Sequence, residues 1–322
     1  MSFEIRLENE CPKDWNSNLL KSPMGNIFNT FEYSQYAKKR LNWIPKFISI
    51  LESNGNLKAQ VVLFEFVSKR FGRMLPNTIN KFAPKSSKKI RWTYGPIIFS
   101  DDDEQVVNQF LEFVKKIGNR IEGSLHPFFN GKLFTKGIKE EKWSTFLIDL
   151  KQSNEILLKN TDKKSVQKNI ERAKNRNVKI YDINDDTIKE YHELLNEYRL
   201  ESGNPQYDYD DTYDLWTLLK PLGFKGFIAK KDESNVGGIT FSFFNGYINE
   251  WGIARSKKDT LEKLYSQDLL KWKIIEWGTM NNQKFYDLSG FNPNPSTKKE
   301  EGILQYKKKW GGNQKDFWKI RK

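Results

Sequence analysis

The stretch from Phe224 to Leu288 limits the possible folds more than any other part of the chain. Phe224 to Lys230 and Val236 to Phe244 alternate or run apolar on either side of Glu233-Ser234-Asn235, a hairpin signal, and Tyr247 to Ile253 supplies a third strand. The pattern then predicts a helix from Leu261 to Met280. Its apolar residues Leu269, Leu270, Trp272, Ile274, Ile275 and Trp277 lie nearly all round the axis, so the helix has to be buried against a sheet. Lys284 to Leu288 is the strand to which it returns. A meander, a buried helix and a further strand make an α/β unit.

The residues before this stretch extend the unit. A helix is predicted over Lys163 to Asn177, a strand over Val178 to Tyr181, and a second helix from Ile188 to Glu201 that ends at Ser202-Gly203-Asn204-Pro205. A polar, tyrosine-rich loop follows at residues 206–213, then a short helix ending near Pro221. The first half repeats this order more loosely. A helix is expected over residues 25–43, with Asn29 or Thr30 as N-cap and Glu32 in the first turn. Phe47 to Glu52 and Lys58 to Ser68 flank a turn at Ser53-Asn54-Gly55-Asn56, and residues 69–90 are basic and irregular. Trp92 to Phe99 reads as strand, turn, strand. Asp101 to Asp103 cap a helix reaching about Arg120, and a strand at Thr145 to Leu150 closes the half.

Length and composition agree with two domains. At roughly 150 residues per domain, 322 residues fit two, and 10 Trp, 13 Tyr and 23 Phe fill two cores although hydrophobic residues are only 37% of the chain. The single cysteine, Cys11, excludes an internal disulfide. His126 and His192 lie too far apart for metal-ligand spacing, so no metal site is expected. The first residues lack the basic start and apolar run of a signal peptide, and no apolar run reaches about 18 residues. A cytoplasmic monomer is the expectation.

The net charge of +13 is concentrated. Residues 158–180 hold eight basic and two acidic side chains, and residues 298–322 hold nine and three. In the first segment Lys164, Lys168, Arg172 and Arg176 recur every four positions, forming one basic row on a helix. Like charges at that spacing repel, and a phosphate-bearing ligand would relieve the repulsion. A solvated helix face in a lysine-rich protein gives the same pattern.

Four stretches together resemble the FemAB group of aminoacyltransferases, whose members add amino acids from aminoacyl-tRNA to peptidoglycan precursors. They are the Phe28 to Trp43 helix, the Tyr94-Gly95-Pro96 turn, the Lys168-Asn169-Ile170-Glu171-Arg172-Ala173 helix with Val178 after it, and the run from Leu269 to Gly312. In the last, Leu269-Leu270-Lys271-Trp272, Tyr286-Asp287-Leu288-Ser289-Gly290 and Gly302 to Gly312 stand in family order and spacing. The resemblance implies an α/β fold of two tandem acetyltransferase-like (GNAT-like) domains, at 1–154 and 155–314. The end of the chain, from about Lys315, would return to the first domain as a strand. The chain matches the short forms that lack a helical arm. It departs from the family in its acidic 206–213 loop and in Asn292-Pro293-Asn294-Pro295, both of which count against a peptidoglycan acceptor.

The resemblance also implies site residues. Lys307 matches a lysine set beside the reacting ester, where a cation stabilises developing negative charge, and Tyr306 would stack against the acceptor or the adenosine end of the donor. Asp287, at the end of a strand, is a candidate to accept a proton or orient the amine; an Asp entering Ser-Gly is also a turn former. Glu250, Trp251 and Tyr207 are candidate acceptor contacts. Lys38 and Lys39 fall where relatives bind the acceptor's phosphates. Lys164, Lys168, Arg172, Arg176, Lys308 and Lys309 would hold the tRNA backbone. Lys307, Tyr306 and Trp251 are expected to converge. No cofactor is expected beyond the aminoacyl-tRNA donor. Two other readings compete: an acyl-coenzyme A-dependent N-acyltransferase acting on an amino sugar or saccharide precursor, and a non-catalytic nucleic-acid-binding protein. Ala254-Arg255-Ser256-Lys257-Lys258 replaces the Gly-rich pyrophosphate loop of a coenzyme A user, which disfavours the first.

Overall fold

The structure, a computed structural model, describes residues 3–67, 88–99 and 103–322. Two units form, Met1–Ser144 with Lys315–Lys322, and Thr145–Gln314. The division falls inside a strand, Lys139–Asp149, so no compositional break marks it.

In the first unit the chain runs β1 (Phe3–Glu8), α1 (Trp15–Leu19), α2 (Phe31–Arg40), β2 (Ile44–Glu52), β3 (Leu57–Val67), β4 (Lys88–Arg91), β5 (Ile97–Ile98), α3 (Asp103–Ile117) and β6 (Arg120–Ser124). The sheet order is β1-β2-β3-β4-β6, with β5 on β3; β4 and β6 are parallel and the other pairs antiparallel. Thr30 caps α2, its side chain accepting from the Tyr33 N–H at 3.2 Å. The helix expected from residue 25 begins later because Asn29 is spent elsewhere. Its buried side chain accepts from the Val62 N–H (3.1 Å) and donates to the Thr93 carbonyl (3.1 Å), which holds Ile27–Asn29 as a 3₁₀ turn. The helix expected to reach Arg120 stops at Ile117, and β6 starts at Arg120. Most of the basic 69–90 segment, and Asp101 and Asp102, lie outside the described residues.

The second unit holds the end of β7 (Lys139–Asp149), then α4 (Asn154–Lys159), α5 (Lys168–Asn175), β8 (Lys179–Asp182), α6 (Ile188–Glu201), α7 (Tyr209–Gly223), β9 (Phe224–Lys231), β10 (Ser234–Phe244), β11 (Tyr247–Arg255), α8 (Lys257–Leu261), α9 (Ser266–Met280), β12 (Phe285–Asp287) and α10 (Lys298–Lys308); β13 (Asn313–Arg321) follows. The meander β9-β10-β11 is antiparallel, as the sequence predicts, and β8 extends it beside β9. β12 lies between β11, to which it is parallel, and β7, to which it is antiparallel. α9 packs with α5 and α4 on one side of this sheet, and α6 and α7 pack on β9, β10 and β11. Leu270, Ile274 and Ile275 are buried in one core with Phe241, Ile248 and Tyr286, as a helix apolar nearly all round requires.

Three expectations for this unit change. The helix over 163–177 opens with a π turn at Lys163–Gln167 and ends at Asn175. The 206–213 loop is helical from Tyr209, because Asp208 sits extended at the cap position and Asp210 and Asp211 meet the positive end of the helix. The Leu261–Met280 helix breaks at Tyr265, which is left-handed (φ 57°), and the buried Asp259 carboxylate takes the Ser266 N–H at 2.8 Å to restart it.

Gly311 and Gly312 (φ 72° and 86°) turn the chain out of α10 into β13. A Cβ on Gly312 would stand 2.7 Å from the Leu147 carbonyl oxygen, a backbone atom that cannot step aside. Gly312→Ala is therefore expected to cost about 2–4 kcal/mol. Gly302→Ala, inside α10 with nothing within 4 Å, is expected to gain about 0.5–1 kcal/mol. Urea denaturation of the two variants checks both signs.

Candidate active site

β11 and β12 are paired for three residues only, Tyr247↔Phe285 to Asn249↔Asp287. β12 then stops while β11 continues to Arg255, so the sheet opens beside Glu250, just beyond the carboxyl end of β12. Glu250 is in register with Phe241, whose ring meets Trp277 of α9 at 5.2 Å. Its carboxylate therefore points to the α9 side.

There it meets Lys271, a lysine only 3% exposed. The Lys271 ammonium pairs with the Glu250 carboxylate, which also accepts from the Tyr286 hydroxyl. Three rings surround the ammonium, Tyr306 at 5.6 Å and Tyr286 and Trp310 at 5.7 Å. A charge buried this deeply persists only when it is paired. Burial, then the Glu250 charge, raises the Tyr286 hydroxyl well above its ordinary value.

Lys307, on α10, projects into the same region. Its ammonium donates to the carbonyls of Ser289 (2.7 Å) and Gly290 (3.0 Å). An ammonium has three donors, so one N–H is without a partner among the described residues. Burial lowers its pKa to about 8, with Glu250 and then Asp287 pulling the other way. Tyr306 keeps 38% of its surface exposed, so its ring borders solvent. Its hydroxyl is pushed upward by local desolvation first, then by Asp268 and Glu250.

Asp287 lies on the other side of the sheet from Tyr286, as strand alternation requires. It is fully buried and accepts from the Thr145 hydroxyl, the Tyr247 hydroxyl (2.8 Å), the Asn249 amide (3.3 Å) and the Ser289 N–H (2.8 Å). Burial raises its carboxyl and these donors oppose the rise. Both oxygens are engaged, so the group is built to hold the Ser289-Gly290 turn on which Lys307 rests, and a proton could reach it only by displacing a donor.

The other sequence-derived residues separate. Trp251 does not converge with Tyr306 and Lys307: it turns to the α7 side and meets Phe224 edge-on at 5.5 Å. Phe224 in turn packs on Trp216 of α7. Tyr207 stands in the α6–α7 connection under the Arg199 guanidinium (3.7 Å). Lys38 and Lys39 are exposed in the last turn of α2, in the other unit. Lys164, Lys168 and Arg172 are exposed, and Arg172 and Arg176 both lie 5.5 Å from the Tyr265 ring. Lys308 and Lys309 are exposed at the end of α10. Among the described residues no group of three His, Cys, Asp or Glu side chains is placed to hold a metal ion, and no helix is long and apolar enough to cross a membrane. A cavity of about 310 Å³ beside Trp310, bounded by Leu157, Asn160 and Ile275, contains none of the sequence-derived site residues.

No protein-family model and no curated protein matches the sequence. Solved structures do. FemX is similar over 97% of this chain and 96% of its own, with a TM-score of 0.69 and 11% identity. L-PGS from Bacillus licheniformis matches over 97% of this chain and 92% of its own (TM-score 0.56, 12% identity). A tandem GNAT protein from the clavulanic acid biosynthesis pathway matches over 99% and 98% (TM-score 0.52, 11% identity). These likenesses span both units, and the chain has the FemX-like tandem GNAT fold.

Proposed function

We propose that the protein is an N-acyltransferase that moves an aminoacyl group from aminoacyl-tRNA to an amine of a cell-wall or cell-envelope precursor. The observation that carries this reading is Lys307: a half-buried ammonium fixed on two carbonyls, with one N–H left to give, where the sheet opens. In aminolysis of an ester the amine nitrogen bonds to the carbonyl carbon, the carbonyl oxygen becomes an oxyanion, and the departing ribose oxygen needs a proton. Lys307 supplies positive charge to the oxyanion and a proton to the leaving oxygen, and the proton shed by the attacking nitrogen as the amide forms restores the ammonium. Asp287 acts through the turn, as a positioning residue.

The basic row supports an RNA donor. Asn169, on the same helix as Lys168 and Arg172, accepts from Arg172 at 3.3 Å and donates to Asp268 of α9 at 2.8 Å, so one side chain links the row to the site. A fold similar to the C-terminal domain of a protein named for lysylphosphatidylglycerol synthesis agrees with an aminoacyl donor.

Binding of aminoacylated tRNA and of acetyl-coenzyme A across a salt series tests the reading. If the row neutralises four phosphates, tRNA affinity falls about a hundredfold between about 50 and 200 mM salt, and Arg172→Ala lowers the salt slope by about one. Saturable coenzyme A binding with tRNA ignored would leave a coenzyme A-dependent acyltransferase instead.

A further inference from the structure

Asp268 lies one turn before Lys271 on α9, so the two side chains share a helix face. It is largely withdrawn from solvent, yet it joins no ion pair among the described residues, and its one hydrogen-bond partner is the neutral Asn169 amide at 2.8 Å. Lys271 is already taken by Glu250. Lys271 and Lys309 act on the Asp268 charge through space, but neither bonds to it among the described residues, so a half-buried carboxylate with room for several donors keeps oxygen positions open to an incoming cation.

Its place narrows what that cation is. Lys271, on the same helix face as Asp268, lies 5.6 Å from the Tyr306 ring, and Tyr306 adjoins Lys307 on α10. On the other side of Asp268, Asn169 joins it to Arg172 and the phosphate-binding row. A donor whose phosphates meet Arg172 would lie beside Asp268, because Asn169 bonds both side chains. Aminoacyl esters differ from plain acyl esters in carrying an α-ammonium next to the carbonyl.

We propose that Asp268 receives the α-ammonium of the donor's aminoacyl group, so that the site selects aminoacyl esters over plain or N-acylated ones; this rests on the aminoacyl-RNA reading above. Burial raises the Asp268 carboxyl, and an arriving ammonium would pull it back. Asp268→Asn keeps an oxygen for the Asn169 amide, so the packing of α5 on α9 survives the change.

The probes are two hydrolysis-resistant CCA trinucleotides whose terminal 3′-amino group bears alanine through an amide, one with a free α-amine and one N-acetylated. Their binding is measured by calorimetry near about pH 6.5, where the α-amine is charged. The wild-type protein is expected to bind the free-amine probe about tenfold more tightly, and Asp268→Asn to erase that difference by weakening this probe alone. Equal affinity of the two probes for the wild type, or equal loss of both in Asp268→Asn, would overturn the assignment while leaving the RNA donor in place. If neither probe binds the wild type, the aminoacyl-RNA reading fails and the inference with it.

Discussion

Lys307→Ala is expected to lower kcat/KM for aminoacyl transfer by about 10²–10³-fold, the range found when one preorganised donor to an oxyanion is removed, with circular dichroism and urea stability close to wild type. The loss should fall on kcat, because the third N–H of this ammonium finds its partner only when charge builds on the ester. The pH profile separates a cation from a free amine. With its pKa lowered to about 8, the lysine loses its proton as pH rises through about 8, and the rate should decline there. A base would show the opposite limb. Lys307→Arg keeps its charge at high pH, so whatever rate it retains should not decline near pH 8. Stability carries a signature of its own: between about 8 and the ordinary lysine value the folded state binds fewer protons than the unfolded one, so Lys307 makes stability rise with pH across that window. Lys307→Met removes the rise.

Lys271→Met is expected to destabilise the protein by about 3–5 kcal/mol, because it leaves the Glu250 carboxylate buried with the Tyr286 hydroxyl and without its paired cation. The thioether chain is close in length to lysine's and fits a ring of Tyr286, Tyr306 and Trp310, so the cost arises from charge rather than volume. Adding Glu250→Gln should recover a large part of it, and urea denaturation of the two singles and the double gives the coupling directly. No recovery in the double would assign the cost to packing.

Elements marked by strong local signals were legible in the sequence. The β9-β10-β11 meander, the Thr30 cap and the return strand β12 lie where pattern and turn residues place them. What escaped depends on contacts distant in sequence. β6, Arg-Ile-Glu-Gly-Ser, holds one large apolar residue, and only pairing with β4 and β13 makes it a strand. Tyr265 breaks a helix-compatible run because Asp259 captures the next N–H. In the site, the resemblance implies Lys307, Tyr306 and Glu250, whereas Lys271 stands within Leu269-Leu270-Lys271-Trp272 with no role attached. A lysine inside a helix apolar nearly all round is a signal that it is buried and paired. Lys273, two residues on, carries the same signal, and only the sheet decides that Lys271 faces inward. The resemblance implies acceptor contacts at both Glu250 and Trp251, although neighbours on a strand point apart.

The antiparallel pairing of β13 with β6 has a consequence for biosynthesis. Lys319 to Arg321 align with Ser124 to Glu122, and Phe317 and Ile320 are buried in the first unit. This sheet therefore has to wait, with one edge of β6 unsatisfied, while the whole second unit is translated. The unit that leaves the ribosome first is the last to be completed, and that exposed edge is where a chaperone would be needed.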